Sequence, residues 1–365
     1  MASPDLTRIE AWDYSLPEEL IARYPAERRD ESRLLVAPKG AESGFRHLSF
    51  RDLSQLTTPG DLLVVNESRV LPLRLLGRKP TGAPAEVLLL RPLTDDWVRW
   101  EALVRPGSKL KPGRSVEVVP GEMEVDIEES LPHGSRVVAL RSPLPPRSAL
   151  ERYGKLPLPP YLGREEEEMD RERYQTVYAR DPGSAAAPTA GLHFTTDLLD
   201  ELQRGGVGVA PVTLHVGPGT FRPVEVEEVS RHQMHSEWWS IPEATAAAIN
   251  QTRRKGGRIW AVGTTVVRTL ESAALQVDGG GALVLMAGSG ETRLFIQPGF
   301  QFQVVDALVT NFHLPRSTLL MLVAAFAGYP TLMAGYDEAV RMAYRFYSYG
   351  DAMVIPPTPF NNPVE

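Results

Sequence analysis

The chain has 365 residues, 42% of them hydrophobic and 23% charged, which is the balance of an ordinary globular protein with room for about two domains. The net charge of −7 argues against a protein that coats nucleic acid non-specifically. There is no cysteine, which excludes disulfides, a thiolate nucleophile, thiolate zinc sites and cysteine-ligated iron–sulfur clusters.

The N-terminal stretch MASPDLTRIEAWDY lacks the charged and apolar regions of a secretory signal. The longest apolar run, Leu319 to Gly328, is too short to cross a bilayer, so a cytoplasmic protein is expected. From Arg74 to about Leu140 the pattern changes to short strands separated by Pro/Gly turns: AEVLLLR, WVRWEALVR, SVEVV, MEVDI and SRVVAL. Regularly spaced short strands predict a small β-barrel or sandwich. Between Arg69 and Arg114 ten Lys/Arg face four Asp/Glu, a local basic excess on an acidic chain. The run REEEEMDRER (164–173) reads as a solvated acidic loop or helix face.

The remainder alternates helices and strands. Thr195 is placed to cap a helix carrying Leu198, Leu199 and Leu202, which Gly205 and Gly206 stop. The strand PVTLHVG (211–217) follows. Pro242 opens a helix that Gly256 and Gly257 end, and the strand RIWAV (258–262) runs into GTTVVRTLESAA. Tyr336, Ala339, Val340, Ala343, Tyr344 and Tyr347 fall on one helical face. The fold class is α/β: a larger domain of residues 1–71 and 150–365, with a mixed sheet and flanking helices, and an inserted β-barrel domain at 72–149.

Five of the seven histidines, His193, His215, His232, His235 and His313, lie in polar or glycine-rich segments, where imidazole is suited to proton transfer. His232, His235 and Glu237 raise a metal reading, but their spacing matches no recognised metal motif. A strand that ends at Gly263 and a helix that begins at Thr264 and Thr265 offer free N–H groups to a carboxylate or phosphate. Gly217 and Gly219 of HVGPGTF allow close backbone approach to a ligand. In YRFYSYGDAM, Tyr344 and Tyr347 fit the helical pattern, and Ser348 to Asp351 lie beyond it.

Taken in order, these segments resemble the S-adenosylmethionine:tRNA ribosyltransferase-isomerases of queuosine biosynthesis. The resemblance runs from YSLPEELIARYPAERRDESRLLV through GDLLVVNESRVLPLRLLG, GSAAAPTAGLHFT, VTLHVGPGTFRPV, HQMHSEWW, AVGTTVVRTLES and VDALVTNFHLPRSTLLMLVAAFAG to YRFYSYGDAM, nearly the whole chain. NESRV stands where NDTRV is usual. The resemblance implies transfer and isomerisation of the ribosyl group of S-adenosylmethionine onto 7-aminomethyl-7-deazaguanine at the wobble position of a tRNA with a GUN anticodon. Epoxyqueuosine forms, and adenine and methionine leave. It also implies a two-domain protein that needs no metal or other cofactor, and a monomer is expected.

Within that chemistry His193, His215 or His313 is the candidate base, and Asp351 the partner of adenine. Thr189, Gly191, Gly217, Gly219, Gly263, Thr264, Thr265, Arg268 and Tyr349 are the candidates for holding S-adenosylmethionine, with the methionine carboxylate at Gly263–Thr265. Arg28, Arg29, Arg105, Lys109 and Lys111 are the candidates for tRNA. A metal-dependent hydrolase or oxygenase and a non-catalytic RNA-binding module are the rival readings.

Overall fold

Strand alternation sets the barrel core apart from the cores on the two faces of a larger sheet. In a computed structural model that describes residues 4–41, 43–217, 224, 226–275 and 284–357, the chain first lays down β1 (Arg33–Val36), β2 (Arg46–Ser49), β3 (Leu62–Asn66) and β4 (Ser68–Val70). Six strands follow: β5 (Arg74–Arg78), β6 (Pro84–Pro92), β7 (Arg99–Arg105), β8 (Ser115–Val119), β9 (Met123–Ser130) and β10 (Arg136–Arg141). They close into an antiparallel barrel in the order β10-β7-β6-β5-β8-β9. Every second side chain points inward, so Val87, Leu89, Trp100, Ala102, Val104, Val125 and Ile127 fill the interior and their polar neighbours face solvent.

The return segment contains α1 (Pro146–Tyr153), α2 (Asp170–Arg173), β11 (Asp181–Ser184), α3 (Thr196–Arg204), β12 (Gly208–Leu214), β13 (Glu237–Ile241), α4 (Glu243–Arg254) and β14 (Ile259–Val262). Then come α5 (Thr264–Ala274), β15 (Gly288–Thr292), β16 (Ala307–Asn311), α6 (Thr318–Ala327), α7 (Tyr329–Arg341) and β17 (Ala352–Ile355). Nine of these strands form a mixed sheet in the order β15-β13-β12-β3-β14-β16-β17-β1-β2. Its central strands are buried along their whole length, because helices cover both faces. Val64, Val212 and Ala261 pack on the side of α4, α5 and α6, whereas Val65, Trp260 and Val309 pack against Phe50, Leu198 and Leu202.

The local signals read from sequence hold for α3 and α4. Thr195 Oγ1 accepts from Leu198 N at 3.2 Å, and Gly206 takes the left-handed φ of 83° that follows the helix. Two expectations are corrected. Helix α7 ends at Arg341, because Ala343 and Tyr347 adopt φ of 52° and 72°, so Tyr344 and Tyr347 are not helical. The acidic run 164–173 is not simply solvated: Asp170 is fully buried and takes two hydrogen bonds from Arg164 at 2.6 and 2.7 Å. Burial favours the neutral acid, but Arg164, the Glu167 amide and the Tyr349 hydroxyl outweigh it and hold this carboxyl below its usual range.

Strands β3, β12, β14 and β16 run parallel, and β17 and β1 run the opposite way. The carboxyl ends of the first four therefore share one edge with the amino ends of the last two. Open α/β sheets bind ligands beyond the carboxyl ends of their strands. The chain leaves for the barrel there as well, since β4, which leads into it, pairs in parallel with β11 from Ser68–Asp181 onward. Among the described residues no single helix is long and apolar enough to cross a membrane.

Candidate active site

The sheet edge is a trough whose two ends differ in charge. At the β12 end, His215 follows the last residue of the strand. Its ring stacks on Trp238 with centroids 5.2 Å apart, and its other face lies on Gly183. A Cβ at Gly183 would come within 2.8 Å of the imidazole, so this position tolerates no side chain. His215 Nε2 faces Asp181 Oδ2 at 4.0 Å, and Nδ1 is buried with no hydrogen-bond partner among the described residues. Burial lowers the basicity of the ring, and the Asp181 charge opposes that. Next to it is Glu67, whose carboxyl burial raises above its ordinary range, with Arg180 opposing and Asp181 adding to the rise.

The middle of the trough is the start of α5. Gly263 (φ 95°) turns the chain out of β14, and no side chain caps the helix. Thr265 Oγ1 accepts from Asn66 Nδ2 at 3.3 Å, and Asn66 also exchanges hydrogen bonds with the backbone of Leu214, which joins β3, β12 and α5. The turn Thr189–His193 sits across this helix start, its Ala190 side chain close to Gly263. A Cβ at Gly191 would collide with the Tyr178 hydroxyl. Gly219 lies outside the described residues. Gly217 is partly exposed, and its amide donates to Glu237 Oε1 at 3.1 Å.

At the β16 end both nitrogens of His193 are engaged. Asn311 Nδ2 donates to its Nε2 at 3.0 Å and also to the Tyr347 carbonyl, which leaves His193 Nδ1 to donate to Ser32 Oγ at 2.7 Å. Burial, with the positive charges of Arg345 and Arg29, lowers its pKa to about 3, so the ring is neutral near pH 7. His313 is buried too, with Nε2 against Thr310 Oγ1 at 2.8 Å and its pKa lowered to about 3 by burial. Of the three histidines named from sequence, His215 alone combines partial exposure, a carboxylate behind one nitrogen and an unpartnered second nitrogen.

Four other assignments change. Asp351, expected beside adenine, is buried and accepts from Arg33 N, Nε and Nη2 and from Arg345 N at 2.8–3.2 Å. It organises the 344–351 loop. Arg268 points away from the helix start onto Glu237, with the Leu294 carbonyl at 3.2 Å, and burial pulls its pKa down to about 10. Arg29 is half-buried, bonded to three carbonyls, and is not part of a surface patch with the exposed Arg28, which pairs with Asp30. Tyr349 is buried and donates to Asp170 at 2.7 Å, while lining a cleft with Arg29, Ser32, Arg173, His193 and Ser348.

On the barrel, Arg74, Arg91 and Arg99 are neutralised by Glu86, Glu101 and Glu128. Seven basic residues of that stretch, Arg69, Arg78, Lys79, Arg105, Lys109, Lys111 and Arg114, form no ion pair among the described residues, and the last four are all exposed. The His232–His235–Glu237 trio is not assembled: Glu237 turns inward to Arg268, and His232 packs on Phe295. Among the described residues no group of three or more His, Cys, Asp or Glu is placed to hold a metal ion.

The family model for the queuosine biosynthesis protein matches residues 9–355. The chain belongs to this family. Within it, the S-adenosylmethionine:tRNA ribosyltransferase-isomerase of Symbiobacterium thermophilum is 52% identical over 349 residues, covering 95% of this chain and 99% of that protein. The enzyme of the same name from Moorella thermoacetica is 52% identical over 351 residues, with the same coverage. The crystal structure of S-adenosylmethionine tRNA ribosyltransferase from Thermotoga maritima is 38% identical and covers 94% of this chain and 99% of its own, with a TM-score of 0.54. For a queuosine biosynthesis protein, Asp181, Trp238, Ser32, Asn311 and Arg173 are additions that sequence reading did not single out. Each flanks a strand or short helix at the trough, a placement visible only once strand order and direction are known.

Proposed function

We propose that this chain transfers and isomerises the ribosyl group of S-adenosylmethionine onto 7-aminomethyl-7-deazaguanine at the wobble position of tRNAs with a GUN anticodon, as a cytoplasmic monomer without a metal or other cofactor. The observation that carries the reading is the Asp181–His215 pair at the sheet edge of a chain related over nearly its full length to enzymes of that name. The sulfonium of S-adenosylmethionine acidifies the ribose carbon beside it, so a base with an open lone pair is required there. His215 is assigned as that base, and the Asp181 carboxylate, 4.0 Å from its Nε2, stabilises the imidazolium that forms. Among the described residues, Glu67 and Asp181 against Arg180 give this end the negative balance that suits a sulfonium. The uncapped start of α5 at Gly263, Thr264 and Thr265 receives the methionine carboxylate.

With S-adenosylmethionine and substrate tRNA, the purified protein is expected to release one adenine for each tRNA modified, and excess EDTA should not change the rate. No adenine release would refute the activity, and activity lost on chelation and restored by one metal would refute the metal-free chemistry. For the RNA, Arg105, Lys109 and Lys111 supply phosphate contacts at the barrel. Changing all three to Glu should weaken tRNA binding and flatten the log–log salt slope by about 2, since each phosphate contact contributes about 0.7–0.9. S-adenosylmethionine affinity should be unaffected. An unchanged slope would mean that this end of the barrel faces away from the RNA.

A further inference from the structure

The cleft beside His193, at the amino ends of β17 and β1, contains an arrangement that the proposed chemistry leaves unused. Arg29 and Arg173 stand side by side in its wall. Arg29 Nη1 donates to the carbonyls of Leu192 and Arg173 at 3.1 and 3.4 Å, and its Nη2 to Glu172 O at 2.9 Å. Arg173 donates from Nη1 to Glu27 O at 3.1 Å and from Nη2 to Ala26 O at 2.6 Å, and its Nε is buried with no partner. Neither guanidinium makes an ion pair with a carboxylate among the described residues. Two like charges held together repel each other, and their direct partners are carbonyl dipoles. Burial, and then the charge of Arg173, lowers the pKa of Arg29, with the Glu172 charge opposing. Paired arginines of this kind are the usual receptor for an oxyanion.

The charge of the lining selects among oxyanions. No carboxylate lines the cleft, and its other polar members are Ser32, His193, Ser348 and Tyr349. S-adenosylmethionine carries a sulfonium and an ammonium for its one carboxylate, so its amino-acid end would bring an ammonium with no acceptor into a positive cleft. A phosphodiester is negative without a companion cation. His193, neutral on the cleft wall, adds no third charge and leaves Nδ1–H committed to Ser32. We propose that Arg29 and Arg173 form a phosphodiester site that holds one backbone phosphate of the bound tRNA, in the cleft at the amino ends of β17 and β1. These strands lie four and five positions from β12 in the sheet, about 19–24 Å at the usual inter-strand spacing, so the phosphate belongs to a nucleotide other than the one modified. The inference rests on the tRNA substrate proposed above.

The test measures affinity for the substrate anticodon stem-loop over a range of salt, and affinity for S-adenosylmethionine, in the wild type and in Arg173→Gln and Arg173→Lys. Arg173→Gln is expected to weaken RNA binding about 10-fold and to reduce the salt slope by about 0.7, the value for one phosphate of a single strand. Lys should restore the slope, and S-adenosylmethionine binding should not change in either variant. Because Arg173 also ties down residues 26 and 27, a second measurement uses the wild-type protein alone. Loop phosphates of the stem-loop are replaced one at a time by uncharged methylphosphonate linkages, and one position should lose a comparable factor. Weakened S-adenosylmethionine binding with RNA binding intact would assign the cleft to the methionine carboxylate and overturn the proposal. So would a methylphosphonate series in which no position matters. If the wild type binds no stem-loop at all, the tRNA reading fails first and the site falls with it.

Discussion

His215→Asn should slow the chemical step about 10²–10⁴-fold, the ordinary size of a lost general base, with S-adenosylmethionine and tRNA affinities nearly unchanged. The comparison that gives this result meaning is His193→Gln. Both nitrogens of His193 are occupied by Asn311 and Ser32, so its replacement should cost the chemical step less than about 10-fold. Asp181→Asn supplies a sign. The Asp181 charge raises the His215 pKa, so its removal lowers that pKa, and the acid limb of kcat/KM should move to lower pH. Single-turnover rates measured across pH for the three variants check all of this. Near-normal turnover in His215→Asn would sink the assignment, as would an acid limb that does not move in Asp181→Asn.

Arg268→Ala should destabilise the fold by about 3–5 kcal/mol, because it strands the buried Glu237 carboxylate without its partner. Both side chains are about 95% buried, and Glu237 also accepts from the amide of Gly217. The pair therefore links β13, α5 and the turn after β12. Replacing both residues together by apolar side chains of similar size should recover much of the loss, since two desolvated charges are removed at once. Urea unfolding of the two single variants and the double variant closes the cycle. A double variant as unstable as the worse single variant would mean that Glu237 matters through Gly217 and not through Arg268.

Much of the fold was legible because local chemistry and tertiary structure agree. The barrel strands alternate cleanly, Thr195 caps the helix it precedes, and Ile259–Val262 is a continuous apolar strand buried on both faces. The sequence reading failed where a distant partner overrides a local pattern. Tyr344 and Tyr347 keep a helical spacing with α7, but the Asp351 carboxylate captures the Arg345 amide and closes the segment into a loop. Asp170 reads as one more surface acid until Arg164 and Tyr349 are seen to enclose it. For the site, sequence named three candidate histidines but could not rank them. Ranking depends on what faces each nitrogen, and Asn311, Ser32 and Asp181 come from three distant parts of the chain.

Strand β17 is the last in the chain, yet it lies inside the sheet, between β16 and β1. More than three hundred residues separate it from β1, a gap that takes about 15–60 s to synthesise at about 5–20 residues per second. Throughout that interval β1 has only β2 as a neighbour, and the β3–β14–β16 block ends in an open edge. Both are unpaired templates of the kind that recruit other chains. A ribosome that stalls before Asp351 would release a product with its sheet in two pieces, without the carboxylate that gathers Arg33 and Arg345. Until β17 is made, the two halves of this sheet cannot join, and the edges of β1 and β16 stay open to other chains.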